Sequence, residues 1–244
     1  MQLLTVLNQS GGCGKTTAAV HLACWLAERN ANVAFIDADP QARSTHWLKR
    51  AAPGILCLPA IEAGEVHDAV ERLKAGDDLT VIADAKPGLD GAALELLKLS
   101  DRVYMPIVPS EINLDSTAQA LATMKALEVR KPVVLYLSIV DPGGEATRAR
   151  LRLAELARES GGPGVTAAAA SIGRRMVFRA AYSHGTVAWR MKAVSSSWSN
   201  PAKLACAELD ALFTEILPHG ILAIDRPAAS ASDLQDADRY HVAA

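Results

Sequence analysis

The sequence predicts an α/β fold: a doubly wound, mostly parallel sheet with helices on both faces. Three observations predict it. Short runs of continuous Val, Ile and Leu recur along the 244 residues, as in strands buried on both faces. Helix-length amphipathic segments separate those runs, as parallel crossovers require. A glycine-rich turn joins the first apolar run to the first helical segment.

Taken in order, residues 3–8 read as a buried strand, followed by the glycine turn and a helix over 15–29. Residues 33–37 form the next strand, and 79–84, 102–108 and Val133–Val140 follow. Between them, residues 65–74, Gly91–Leu99, 114–127 and 146–159 have helical spacing. Ala205, Leu209, Leu212, Phe213 and Ile216 share one apolar helix face that should dock on the sheet. No internal repeat is visible. After Leu222 the chain turns to Ala, Ser, Asp and Pro without periodicity. A single domain is therefore expected over 1–222, with a disordered tail over 223–244.

Half the residues are hydrophobic and the net charge is −2, so a sizeable core is expected. The chain as a whole is no polybasic nucleic-acid binder, and any DNA affinity must come from a local patch. Cys13, Cys24, Cys57 and Cys206 are scattered, without a CxxC pair or metal spacing, and read as reduced cytosolic thiols. The apolar start of the chain is too short for a signal peptide. No apolar stretch approaches the roughly 20 residues of a membrane span. A soluble, cytoplasmic protein is expected.

The strongest signal is Gln9-Ser10-Gly11-Gly12-Cys13-Gly14-Lys15-Thr16-Thr17, between first strand and first helix. Glycines let successive amides point into one concavity, and the helix N-terminus adds partial positive charge. Lys15 should reach β- and γ-phosphates, and the Thr16 hydroxyl should ligate Mg²⁺. A plain connecting turn is the competing reading, disfavoured by Gly-Lys-Thr-Thr in a strand–helix context. The strict P-loop pattern wants glycine at position 9, where Gln9 stands; Gly11-Gly12 points to the deviant form.

Two further segments support it. Asp37-Ala38-Asp39-Pro40-Gln41 ends the second strand with two carboxylates, and residues 79–84 form an apolar strand ending in Asp84, the form of a Walker B acid. In doubly wound sheets ligands sit at the carboxyl ends of strands, where Lys15, Asp37, Asp39 and Asp84 would converge. Any one such Asp alone is more often a cap or turn former.

On these residues the chain resembles the ParA/MinD family of deviant Walker ATPases, over nearly the whole chain. Asp84-Ala85-Lys86-Pro87-Gly88 resembles the third motif, usually Asp-x-Pro-Pro-Gly. Pro106-Ile107-Val108-Pro109-Ser110 resembles the strand end near the nucleotide base, so Pro109 joins the P-loop residues as a nucleotide-binding candidate. Ile172-Gly173-Arg174 through Ala181 and Gly185 resembles a late helix-and-turn segment. Small ParF-like plasmid-partition members are most similar in length. The resemblance implies an ATP-dependent homodimer, non-specific DNA binding by that dimer, and slow ATP hydrolysis stimulated by a small adaptor protein on the nucleoid. It implies that Asp39 positions the attacking water, with Lys15 beside it, and that Asp37 and Asp84 order Mg²⁺, partly through water.

Ser10 departs from the family. The residue before Gly11 is normally a signature lysine that crosses the dimer to the partner's phosphates. A serine offers a neutral hydrogen bond, about half as strong as a charge-assisted one. Relatives that space carboxysomes (the McdA type) also lack this lysine. Lys86, Arg148 and Arg150 are candidate substitutes, with a solvated loop lysine the bland reading of Lys86. Cys13 among phosphate-facing amides reads as small filler rather than a reactive thiol. His46 and Trp47 follow the paired aspartates on a short helical stretch, facing a partner or serving the core.

Between Gly143 and Pro201 nine Arg or Lys residues stand against three acidic ones. Arg174, Arg175 and Arg179 cluster at a helix start, and Arg190 and Lys192 follow. Such a patch would neutralise phosphates with little regard to sequence; a solvated arginine-rich face is the alternative. The polar, acidic end of the chain lacks the basic amphipathic helix of membrane targeting.

The leading reading is a partition or positioning ATPase. An accessory of conjugative DNA transfer of the VirC type and a weakly hydrolysing scaffold remain alternatives. A metabolic ATP-dependent amidoligase would need an inserted substrate pocket. A nitrogenase iron protein would need mid-chain cysteines, and none lies between Cys57 and Cys206.

Overall fold

Among the described residues seven strands form: β1 (Gln2–Val6), β2 (Asn32–Ala38), β3 (Leu56–Pro59), β4 (Leu79–Ala85), β5 (Arg102–Ile107), β6 (Val133–Val140) and β7 (Val165–Gly173). Their order across the sheet is β3-β2-β4-β1-β5-β6-β7, and every pairing is parallel. The helices are α1 (Lys15–Ala27), α2 (Arg43–Ala51), α3 (Ala63–Leu73), α4 (Gly91–Leu99), α5 (Glu111–Ala126), α6 (Gly144–Glu159), α7 (Met176–His184) and α8 (Ser199–Ile216). A 3₁₀ turn over Ala188–Ala193 links α7 towards α8. The computed structural model describes residues 1–74, 78–89, 91–141, 144–160, 164–218 and 221. The tail expected over 223–244 lies outside the described residues.

The doubly wound sheet is as the sequence predicts. One core joins the sheet to α1, α2, α7 and α8, with Trp25, Trp47, Leu209 and Phe213 buried in it. The other joins it to α3, α4, α5 and α6 through residues such as Val66, Leu96, Leu121 and Leu153. Strands covered on both faces explain their unbroken apolar runs. Among the described residues no helix is long and apolar enough to cross a membrane.

Two strands escape the pattern. β3 has four residues and ends in a proline, which an edge position tolerates. β7 reads VTAAAASIG, and alanine is a poor strand former. Its position rests on pairing with β6 and on a tertiary contact: Glu215 of α8 accepts from the Ala169 and Ala170 amides at 2.7 and 2.8 Å. The two amides are consecutive and lie where the pairing with β6 slips register between Leu135 and Leu137, so the carboxylate satisfies donors of an irregular stretch in this edge strand. No local periodicity encodes that.

Candidate functional site

Strand register brings distant segments to one edge. Val6 and Asp37 are both Cα partners of Asp84, so β1, β2 and β4 finish side by side. The turn after β1 therefore opens where the carboxylates gather. Gly12 (φ 72°) and Gly14 (φ 91°) take left-handed backbone that a side chain would strain. Three hydrogen bonds pin the turn: Ser10 N donates to Asn8 Oδ1 (3.0 Å), Asn8 Nδ2 to the Pro106 carbonyl (2.6 Å), and Ser138 Oγ to the Cys13 carbonyl (2.7 Å). Lys15 is 6% exposed, and its ammonium donates to the Ser10 carbonyl at 2.7 Å. The result is an amide-lined concavity with a cation at its rim.

Beneath it lies Asp84. Thr16 Oγ1 donates to Asp84 Oδ2 at 2.7 Å, and Ser44 Oγ donates to the same oxygen. Oδ1 is buried and has no hydrogen-bond partner. Burial pushes the carboxyl up to about 6; Asp37 adds to the rise, while the two hydroxyls and Lys15 oppose it. A buried carboxylate oxygen without a donor calls for a cation or an ordered water. Mg²⁺ needs one or two protein oxygens, completing its shell with phosphate and water, and Thr16 with Asp84 fits that demand.

Asp37 is differently used. Its Oδ1 accepts from the Asp39 amide (3.1 Å), and its Oδ2 from the Thr45 amide (2.9 Å) and hydroxyl (2.7 Å). It thereby ties the end of β2 to the start of α2. Asp39 is 7% exposed; Oδ1 accepts from the Gln41 amide (3.0 Å) and Oδ2 pairs with Arg43 (2.9 Å).

A cavity of about 560 Å³ opens over this floor. The glycine turn, Lys15, Thr16 and Thr17 form one wall, Asp39, Arg43 and Trp47 another, and Phe178, Arg179, Tyr182 and Ser183 of α7 a third. Sequence reasoning missed Arg43, Ser44, Thr45 and Ser138; they are ordinary polar residues whose roles appear once α2 and β6 are in place. A slightly larger cavity, about 610 Å³, lies at the opposite edge between α5 and the starts of β6 and β7. Among the described residues its lining holds no orphaned carboxylate and no Gly-Lys-Thr helix start, so the smaller cavity is the candidate site.

The other singled-out residues scatter. Pro109 is buried just past β5, outside the cavity lining. Lys86 is half-buried directly after β4. Arg148 and Arg150 are exposed on α6, and Arg150 donates to Ser171 Oγ of β7 (3.1 Å). Arg174 pairs with Asp141 (2.7 Å), and Arg175 makes a bidentate pair with Glu208 (2.8 and 2.5 Å). Arg190 is held by the Ala51 carbonyl and Glu28, Lys192 is exposed, and Arg179 turns to the cavity. The basic stretch is thus not one unpaired cluster. His46 is exposed. Burial holds the Cys13 thiol up, which makes it inert.

One buried residue links these layers. His21 of α1 is fully buried; its Nδ1 bonds the Thr17 carbonyl (2.7 Å) and its Nε2 accepts from the Ala188 amide (3.1 Å). The Ala188 donor fixes Nε2 as acceptor and Nδ1 as the protonated nitrogen. Trp47, Phe178 and Trp189 meet its ring edge to face at 5.3, 5.3 and 5.5 Å. Burial pushes its pKa down to about 4.

Comparison with known proteins agrees with this geometry. Residues 4–237 match the family model for the CobQ/CobB/MinD/ParA nucleotide binding domain. A maintenance of carboxysome distribution protein A from Halothiobacillus neapolitanus is 27% identical over 221 residues, 88% of this chain and 96% of that protein. Its namesake from Gloeobacter kilaueensis is 34% identical over 159 residues, covering 63% and 71%. The structure of a Cyanothece McdA–ATP complex, carrying an Asp-to-Ala substitution, superposes with a TM-score of 0.60 at 17% identity, over 90% of this chain and 99% of that one. At that identity the likeness speaks for the fold.

Proposed function

The chain belongs to the CobQ/CobB/MinD/ParA nucleotide-binding family, and from that premise we propose that it is a cargo-positioning ATPase. ATP with Mg²⁺ drives it into a homodimer that binds DNA non-specifically, and a small adaptor protein stimulates slow hydrolysis, on the nucleoid. The observation that carries the reading is the Thr16–Asp84 pair, with its orphaned carboxylate oxygen, directly under a glycine cradle bearing Lys15. Both relatives are named for maintaining carboxysome distribution, which favours positioning of cargo over small-molecule metabolism.

In this reading Lys15 leaves the Ser10 carbonyl for the β- and γ-phosphates, and the Gly11–Thr16 amides hold the same oxygens. Thr16 and Asp84 hold Mg²⁺, which when bound offsets charge on the phosphates. Asp37 keeps α2 in place, and Asp39 orients the attacking water. Closure of a dimer over the cavity would exclude bulk water.

Ser10 favours one second reading, a nucleotide-dependent scaffold that hydrolyses little. Sedimentation with ATP, ADP or no nucleotide, with and without random-sequence DNA, separates the two. A dimer and DNA retention specific to ATP are expected, with phosphate release rising when dimer and DNA are present. A nucleotide-independent monomer that ignores DNA would sink the proposal; an ATP dimer without measurable phosphate release would leave the scaffold.

A further inference from the structure

Arg43 occupies the junction between Asp39 and the cavity. Its Nη2 lies 2.9 Å from Asp39 Oδ2, and both residues line the cavity with Lys15. The guanidinium side chain is 47% exposed and the Asp39 side chain 8%, so the cation stands on the open side and the carboxylate inside. The second Asp39 oxygen accepts from the Gln41 amide at 3.0 Å. In this arrangement each oxygen of the water-positioning carboxylate already has a donor.

The arrangement also sets two acceptors in competition. An entering triphosphate brings a terminal group of greater negative charge than one carboxylate into the space that Arg43 borders. Arginine's planar fork binds phosphate as readily as carboxylate, and bidentately. Ser10 supplies no positive charge here. A carboxylate beside a terminal phosphate adds like-charge repulsion, and a guanidinium standing between the two offsets it even when its hydrogen bonds go to the phosphate. Arg43 is fixed at the first position of α2, and its flexible side chain swings without backbone movement.

We propose that Arg43 is a cis-acting sensor of the third phosphate: it neutralises Asp39 in the nucleotide-free and ADP states, and turns to the terminal phosphate of ATP, freeing Asp39 to orient water. The proposal rests on the cavity being an ATP site. It makes Arg43 the residue that discriminates ATP from ADP, a distinction Lys15 and the amides provide less sharply because they also hold the β-phosphate.

Calorimetry with Mg²⁺ and either ADP or a non-hydrolysable ATP analogue tests it on the wild type, Arg43→Ala, Asp39→Ala and the double variant, at concentrations where each is monomeric. Arg43→Ala should weaken the analogue on the order of tenfold, the worth of one charge-assisted contact, and leave ADP within about twofold. Arg43→Lys should recover part of the analogue affinity because the charge remains. In the Asp39→Ala background the loss on adding Arg43→Ala should persist for the analogue alone. Equal losses for both nucleotides would mean a structural role and overturn the proposal. So would disappearance of the loss once Asp39 is gone, which would leave Arg43 as a mere counter-ion. ADP binding by the wild type carries the underlying reading separately: its absence removes the ATP site itself, whereas a missing analogue-specific loss removes the sensor alone.

Discussion

Thr16 and Asp84 stand 68 residues apart in sequence, yet Thr16 Oγ1 donates to Asp84 Oδ2 across 2.7 Å. The bond joins the first turn of α1 to the end of β4 and leaves Asp84 Oδ1 buried without a donor. The nucleotide-free protein therefore carries a carboxylate poorly served by its own surroundings. Such a group destabilises the free protein at a place that a cation would relieve.

The first prediction follows from its titration. Asp84 has a folded-state pKa of about 6, against an ordinary value of 3.8. A raised carboxyl favours folding below its unfolded pKa, and that contribution is lost as pH rises through about 6. Asp84→Asn, which keeps one acceptor and the shape, should then stabilise the free protein at pH 8 by about 2 kcal/mol. The gain should fade below pH 6, and Mg²⁺-dependent nucleotide binding should weaken. Urea unfolding at pH 8 and pH 5 checks it; a variant less stable than wild type at pH 8 would show the carboxylate to be well compensated.

His21 acts in the opposite direction. Its folded pKa is about 4 against 6.5, so the unfolded chain binds more protons in that window. Its contribution is fully present above pH 6.5 and is lost progressively down to pH 4, about 3 kcal/mol in all. Between roughly pH 4 and 6 the gain at Asp84 offsets much of that loss. Removing Asp84 by the Asn substitution should expose a steeper acid destabilisation. Imidazole NMR provides the direct check: His21 should remain neutral, with its proton on Nδ1, at pH 5. An imidazolium signal there would refute the buried neutral assignment.

Ala42 precedes α2 with φ 49°, ψ 31°, a left-handed conformation costly for alanine. Glycine fits that backbone without a Cβ, at the cost of a more flexible unfolded chain. Ala42→Gly should raise stability by a net ~0.5–1 kcal/mol, since relief of the left-handed strain exceeds the entropic loss. Thermal unfolding measures it. A lower midpoint would mean that the turn before Arg43 is unstrained.

The sequence disclosed the features that depend on local order. Apolar runs in β1, β2, β4, β5 and β6 marked the sheet, and Gly14-Lys15-Thr16 after β1 marked the turn. It did not disclose β7, whose alanines are held by Glu215 from α8, nor the way Ser44 and Thr45 fill the acceptors of Asp84 and Asp37. Those contacts join residues whose spacing carries no periodic signal. Charge counting had a related weakness. Counting basic residues between Gly143 and Pro201 treats them alike, whereas the fold gives Arg175 a buried-side partner and leaves Lys192 exposed.

That difference supplies the last prediction, on DNA. Arg175 is bound through two nitrogens to Glu208, with side chains 29% and 24% exposed, and Glu208 also accepts from the Gly173 amide at 3.1 Å. Freeing Arg175 for a phosphate would strand a half-buried carboxylate. Arg174 pairs with Asp141 at 2.7 Å, but those side chains are 59% and 61% exposed, so the pair is worth ~1 kcal/mol or less and yields readily to a phosphate. Arg175→Ala should accordingly lower the unfolding midpoint while leaving the salt dependence of DNA binding unchanged. Arg174→Ala and Lys192→Ala should do the reverse, each flattening the slope of log affinity against log salt by about 1 with little effect on stability. Arg179 is a poor probe because it faces the nucleotide cavity, where a substitution would disturb ATP and DNA together. Filter binding of the ATP state to random-sequence duplex over a salt series reads all three variants. If Arg175→Ala alone flattened the slope, the Glu208 pair would have to open on DNA, and the division between paired and available arginines would be wrong.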